Sequence, residues 1–376
     1  MTAMINVLAT LDQHYLRHLT VMLSSLLRSS PEETFDVYVA HTQLRAEHFD
    51  LLRRFLDPGR LRLIPVRVLP EEILSAPISY RYPLEIYYRI FAAQFLPKEL
   101  DRILYLDPDL VVINPIRPLY EMDFGENLLI ASSNVGWSLQ KFNELRLDME
   151  EDAAYINSGV MVMNLERLRA EQSVPEVLDY IEKYRRRLML PDQDVLSGLY
   201  GDRALTVPSL IYNLSDRYLT LYNLRPKNLA NPLGLDWVRQ NVVVVHYYGK
   251  NKPWKENYHG ILDVLYHEEA ARIPGFASFA LPPGPSVPFA DPAVVGRALR
   301  SLREERGLTQ TALAKLAGLG KTQYGAFERG VRNPSLASLF QIASALGLHP
   351  SGLVKRIEGA LIEAHEKPGV ESNKAE

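Results

Sequence analysis

The sequence predicts an α/β layered domain followed by a small all-α domain. Short apolar strands alternate with amphipathic helical stretches from Met4 to about residue 272, the pattern of a mostly parallel sheet covered by helices. Six prolines fall within Ile273–Pro292, which excludes a helix or a central strand there and reads as a semi-extended linker. Beyond that segment the periodicity is purely helical. The predicted boundaries are 1–272 for the first domain, 273–291 for the linker, 292–358 for the helical domain and 359–376 for a polar, disordered tail.

In the first domain the predicted strands are Met4–Thr10, Phe35–His41, Leu61–Val68, Arg102–Leu106, Asn127–Ser132, Gly159–Asn164 and Asn241–Tyr247. The predicted helices are Tyr15–Ser29, Leu44–Phe55, Leu84–Phe95, Val174–Arg187 and Gln193–Tyr200. The first of these carries Leu16, Leu19, Leu23, Leu26 and Leu27 at helical spacing. In the second domain five short helices are predicted, at Val294–Arg306, Gln310–Ala317, Thr322–Arg329, Leu336–Leu346 and Ser351–Glu358. Thr309 and Ser335 stand at N-cap positions, and Gly307, Gly318, Gly330 and Gly347 at helix ends.

Composition narrows the function. Of 376 residues none is cysteine, which excludes disulfides, thiolate metal sites and cysteine nucleophiles. No run of 18 apolar residues and no secretory leader is legible, so a cytoplasmic protein without a transmembrane segment is expected. Ten of the Lys and Arg residues but only four of the Asp and Glu lie between Asp291 and Arg356. The net charge of −3 therefore hides a basic C-terminal segment and an acidic remainder, as expected of modules with different partners.

The sharpest local signal is Asp107-Pro108-Asp109, which ends the run Arg102–Leu106. Side chains at i and i+2 of an extended segment project the same way, so both carboxylates can converge on one cation. Asp and Pro stop strands, which places the pair at the C-terminal rim, where open α/β sheets bind ligands. Taken by itself the pair also reads as an ordinary acidic turn.

Five further segments surround it in sequence order. They are Ala9-Thr10-Leu11-Asp12-Gln13-His14-Tyr15, Glu85-Ile86-Tyr87-Tyr88-Arg89, Tyr155-Ile156-Asn157-Ser158-Gly159, Pro191-Asp192-Gln193-Asp194 and Val245–Trp254, which contains His246, Gly249 and Lys252. Together with the acidic pair they resemble, from about Met4 to Lys255, the family 8 glycosyltransferases. These are retaining, nucleotide-sugar-dependent enzymes of the GT-A fold, a Rossmann-like fold. They include bacterial lipopolysaccharide galactosyl- and glucosyltransferases and glycogenin.

The resemblance implies a retaining hexosyltransferase that moves glucose or galactose from UDP-glucose or UDP-galactose to a glycan or other hydroxyl acceptor, with α-linkage. It implies Asp107, Asp109 and His246 as ligands of Mn2+, with Mg2+ as the other candidate. Hard oxygen donors with one imidazole suit either ion better than zinc. A core histidine is the competing reading of His246. Ala9, Thr10, Asp12 and Tyr15 are implied nucleotide contacts, joined by Arg89, Asp107, Gly249 and Lys252 around the diphosphate. Arg89, a helix-surface ion pair in the competing reading, is also an implied sugar contact with Asn157, Asp192 and Gln193. The candidate catalytic residues are Asp192, Gln193 and Asp194. A carboxylate nucleophile is the simplest route to retention, yet Gln193 is a poor one and Asp194 reads equally as a helix cap. Same-face attack, with the departing phosphate assisting the acceptor hydroxyl, is the favoured expectation. The chain departs from the family at Gln13-His14, where relatives carry an acidic–amide pair, which puts strict preference for UDP in doubt.

The segments between Arg300 and Leu336 carry a resemblance, over about 60 residues, to the Cro/C1-type helix-turn-helix domain. Leu302, Leu313, Leu316, Leu319, Phe327, Leu339, Ile342 and Leu346 are its expected core, Ala314 the small residue where two helices cross, and Arg303–Glu328 an expected buried pair. Thr322–Arg329 is then the DNA-reading helix, with Gln310 and Lys321 on phosphate and Thr322 and Gln323 at base edges. Such domains need a dimer to span two half-sites, so DNA and a second copy of the chain are the expected partners. A reused helical domain for protein contacts, and a nucleotide-sugar-sensing DNA-binding regulator without turnover, are the alternatives.

Overall fold

In a computed structural model that describes residues 4–68, 87–282 and 291–366, the chain divides into two units, Met1–Pro282 and Pro283–Glu376. The strands of the first unit are β1 Ile5–Thr10, β2 Phe35–His41, β3 Leu61–Arg67, β4 Arg102–Leu106, β5 Leu110–Val112, β6 Leu129–Ser132, β7 Val160–Asn164, β8 Ala204–Val207 and β9 Val244–His246. Seven form one sheet in the order β3-β2-β1-β4-β7-β6-β8. β3, β2, β1 and β4 run parallel, β7 is antiparallel to both β4 and β6, and β8 is parallel to β6. Every residue of β2 is buried, as expected of a strand covered on both faces. β3 alternates and carries Pro65, which a sheet tolerates at its edge.

Alternation sorts the side chains between two cores. Val7, Ala9, Leu104 and Leu106 pack with Leu19, Leu23 and Leu26 of the helix Leu16–Ser29. Leu8, Ile103 and Tyr105 face the other layer, with Tyr88 and Phe91. β4 stops at Leu106 as Asp-Pro-Asp dictates, but the chain resumes at once as β5. This strand pairs antiparallel with β9 in a separate two-stranded ribbon, Leu110 opposite His246. That register carries His246 to the acidic pair, and the Tyr247 N–H donates to the Asp109 carbonyl at 3.0 Å.

Several expectations shift. Residues 84–86 of the helix expected over Leu84–Phe95 lie outside the described residues; of the remainder only Ala92–Phe95 is helical, and Arg89 sits on a buried turn. The first unit runs past residue 272, because Ile273, Phe276 and Phe279 are buried in its core and Arg17 lies over the Phe276 ring at 4.5 Å. These anchors outweigh the proline and glycine content, so residues 273–282 are packed chain and not linker; 283–290 lie outside the described residues. The last helix spans Pro350–Glu366, not ending at 358, because Leu353, Ile357 and Leu361 at four-residue spacing give it one buried stripe. The remainder of the expected tail, 367–376, lies outside the described residues.

The second unit caps its helices as expected. The Thr309 and Ser335 hydroxyls accept the Ala312 and Ser338 N–H groups, and Gly307, Gly318, Gly330 and Gly347 adopt φ between 64° and 69°. Arg303 grips the buried Glu328 through two hydrogen bonds of 2.6 and 3.1 Å. Leu316 is the exception in the expected core: it is 63% exposed, and Leu313, Ala314 and Ala317 present the buried face of that helix instead. Tyr324, fully buried, fills the centre. Among the described residues no helix is long and apolar enough to cross a membrane.

Packed histidines make the first unit acid-sensitive, among them half-buried His18, whose pKa burial lowers to about 4. His41 is 4% exposed, its Nδ1 accepts the Leu44 N–H at 3.0 Å, and burial lowers its pKa from 6.5 to about 4. His48 accepts the Arg45 N–H in the same way and is also lowered, chiefly by burial. Above pH 6.5 both stay neutral in either state; below it the unfolded chain takes up protons that the folded chain refuses. For His41 the loss between pH 6.5 and 4 is on the order of 3 kcal/mol. Thermal melting should show Tm falling through this window, and His41→Gln, which keeps an acceptor but cannot titrate, should flatten part of the slope; an unchanged slope would refute the assignment.

Candidate active site

The rim of the sheet gathers the charged segments around one cavity of about 510 Å3. Asp107 leaves β4 with its N–H bonded to the Gly159 carbonyl at 2.9 Å, and β9 delivers His246 beside it. His246 Nε2 lies 3.1 Å from Asp109 Oδ1 and 3.6 Å from Asp107 Oδ2. One ligand atom from each of these three residues lies within 4.8 Å of the others, a hard-oxygen and imidazole set suited to a divalent cation.

Electrostatics explains how two carboxylates persist here. Burial pushes their pKa values up, but Arg89 and His246 at Asp107, and His246 and Lys252 at Asp109, more than reverse this and hold both below the usual range. Burial disfavours the His246 imidazolium, and the two carboxylates overcome it, raising its pKa to about 9. Its Nδ1 faces Asn213 Oδ1 at 2.9 Å, while Asn213 Nδ2 donates to Asn157 Oδ1 at 2.8 Å. Asn213 is thereby oriented as an acceptor, which sets the proton on Nδ1 and turns Nε2 toward the carboxylates.

The expected contacts are brought together, with changes. Arg89, expected on the diphosphate and sugar, reaches Asp107 at 3.0 Å, Asp192 at 3.1 Å and the Ser158 carbonyl at 3.1 Å, and stacks over Tyr105. It therefore organises two carboxylates while lining the cavity. Lys252 donates to Asp109 and, at 2.9 Å, to the Tyr247 carbonyl, so it too is paired within the protein. Asn157 Nδ2 meets Gln193 Oε1 at 3.2 Å, and Ser158 Oγ meets Asp192 Oδ2 at 2.8 Å. Gly249 has φ 78°, a conformation only glycine adopts without strain.

Ala9 and Thr10 are buried at the end of β1, and Thr10 Oγ1 shares a 2.9 Å hydrogen bond with Tyr105, which donates to Asp107. Asp12 caps the turn by accepting the His14 N–H, and Tyr15 lies half-buried, edge-on to Trp254. Of its two readings, nucleophile or helix cap, Asp194 takes the second. It is fully buried, held bidentately by Arg146 at 2.7 and 2.8 Å, and accepts from Tyr155 and from the Met189 and Leu190 N–H groups. Both oxygens are occupied, so it fixes the start of the helix Pro191–Tyr200 that presents Asp192 and Gln193.

In the second unit Lys321 and Thr322 are exposed and Gln323 half-buried at the start of the helix Lys321–Glu328, whereas the Gln310 amide, expected on phosphate, donates to Glu328 at 3.0 Å.

Sequence reading missed Asn213, Ser158 and Asn134. Asn213 stands among residues with no spacing signal of their own, and Ser158, though inside one of the motif segments, carries no role in the sequence reading. Asn134 lines the cavity, and neither of its amide atoms has a hydrogen-bond partner among the described residues. A buried amide left unpaired in a cleft is a ready contact for a ligand hydroxyl.

Comparison with solved structures identifies the fold. A galactosyltransferase, LgtC, solved with donor and acceptor sugar analogues, superposes with TM-score 0.60 at 22% identity, over 74% of this chain and 98% of that one. The first unit accordingly has the GT-A glycosyltransferase fold. The model of Glycosyl transferase family 8 matches residues 6–258, and the chain belongs to that family. A Helix-turn-helix model matches residues 299–353. Curated relatives include the lipopolysaccharide 1,2-glucosyltransferase of Escherichia coli, 24% identical over 67% of this chain and 73% of that protein. General stress protein A of Bacillus subtilis is 25% identical over 70% and 92% respectively, and the lipopolysaccharide 1,3-galactosyltransferase of Salmonella typhimurium 22% over 66% and 72%.

Gly159 gives the site a sharp test. A Cβ there would lie 2.2 Å from His246 Cε1 and 2.6 Å from Asp107 Oδ2. Gly159→Ala must therefore displace two of the three clustered ligands. Turnover should drop by about 100-fold, and the melting temperature should fall with it because charge compensation of the buried carboxylates is disturbed; full activity in the variant would contradict the geometry.

Proposed function

We propose that the chain transfers glucose or galactose from a UDP-sugar to an acceptor hydroxyl with retention, using a Mn2+ or Mg2+ ion held by Asp107, Asp109 and His246. The observation that carries this is the convergence of those three residues within 4.8 Å, Asp107 and His246 lining a cavity that Asn157, Asp192 and Gln193 also line. A bound cation supplies positive charge against the departing diphosphate. Lys252 stands beside Asp109 as a second positive charge for that phosphate. Thr10, Asp12 and Tyr15 flank the nucleotide, and Asn157, Asp192 and Gln193 pair the hydroxyls of the transferred sugar. The occupied oxygens of Asp194 favour same-face attack over a covalent intermediate on that residue. The acceptor oxygen bonds to the anomeric carbon as the bond to UDP breaks, and the acceptor proton passes to the departing phosphate.

The second unit is proposed to bind DNA as a dimer through Lys321, Thr322 and Gln323, supported by the basic charge of that segment and the exposed start of its helix. With Mn2+ and UDP-glucose or UDP-galactose, purified protein should release UDP, and Asp109→Ala should slow release by about 100-fold. Equal release by both proteins would sink the transferase reading. Tight donor binding without release, coupled to salt-sensitive DNA binding, would support a sugar-nucleotide-sensing regulator instead.

A further inference from the structure

Large aliphatic side chains rim the reaction cavity from three separate elements. Leu139 projects from the helix Trp137–Leu147 and is 48% exposed. Met189 and Leu190, 65% and 53% exposed, precede the helix that presents Asp192 and Gln193. Leu221, 55% exposed, comes from the helix Asp216–Asn223. An isolated exposed leucine is ordinary; four aliphatic side chains from three elements lining one reactive cavity are not. The helix that carries Leu139 also brings Asn143 and Arg146 to the cavity wall, so the aliphatic rim alternates with polar groups.

We infer that the acceptor is an amphipathic glycoside: its hydroxyl-bearing head enters the cavity, and an aliphatic aglycone leaves across Leu139, Leu190 and Leu221. The inference rests on the transferase reading and adds the class of acceptor. A free oligosaccharide leaves this wall wet, whereas an alkyl chain removes it from water. Continuity of the wall with the residues that meet the donor favours this occupant over a second protein.

The test uses the full-length protein with Mn2+, UDP-glucose or UDP-galactose, and methyl, butyl, hexyl and octyl glucosides and galactosides below micellar concentrations. KM should fall roughly 2–4-fold per added methylene over the first several carbons and then level off. In Leu221→Ser and Leu139→Ser the octyl-to-methyl ratio should collapse toward one. Calorimetric titration of the same series into protein loaded with Mn2+ and UDP reads the chain-length dependence without turnover. Chain-length-independent KM and affinity, or an undiminished ratio in both variants, overturns the inference while leaving the transferase reading intact. Absence of both donor binding and UDP release overturns that reading, and this inference with it.

Discussion

Two carboxylates side by side in a largely buried rim dictate much of what surrounds them. Ligand atoms of Asp107 and Asp109 lie no more than 4.8 Å apart, where the repulsion is roughly 3–4 kcal/mol at an effective dielectric of about 20. Three cationic side chains from distant parts of the sequence answer it. Arg89 arrives on a buried turn, His246 on the short ribbon of β5 and β9, and Lys252 on the loop that follows. Each contact has a structural condition. The ribbon register sets His246 opposite Leu110, Gly159 leaves room for its ring, and Asn213 fixes which ring nitrogen turns inward. Charge compensation, more than packing, explains why so many polar groups are buried at one end of an otherwise apolar sheet.

The sequence exposes this arrangement unevenly, for identifiable reasons. Phe35–His41 and Arg102–Leu106 are runs of strand-forming residues bounded by breakers, and their ends fall where expected. β5 is three residues long, too short for alternation to register, so the ribbon that positions His246 is invisible to periodicity even though His246 itself stands in a strong motif. Arg89 looked like a helix-surface residue because its neighbours are helix-compatible; tertiary burial of Tyr87, Tyr88 and Phe91 overrides that local preference. Asp194 reads as chemically free in one dimension. Only the fold brings Arg146 and Tyr155 onto it. Leu316 satisfies a helical pattern, yet its helix is two turns long and buries Leu313 and Ala314 instead.

The second unit depends on a related constraint. Glu328 is almost fully buried and is neutralised by Arg303 from the helix Pro292–Glu305, with Gln310 adding a third hydrogen bond. Close approach of those helices requires Gly296, where a Cβ would fall 2.5 Å from the Phe327 carbonyl oxygen. A buried ion pair costs desolvation and is strongly destabilising when halved, so both members are held by the same packing. The pair is confined within the helix-turn-helix unit and leaves Lys321 and Thr322 exposed at the start of the helix Lys321–Glu328.

His246, Asn213, Asn157 and Gln193 form one unbroken file of hydrogen bonds, from an imidazole of the acidic cluster to an amide on the far wall of the cavity. The Gly159 N–H, donating to Asn157 Oδ1 at 3.1 Å, sets the direction of that file, so its two ends share one orientation. Any change in affinity that a ligand at one end produces at the other is matched by an equal change in the reverse direction.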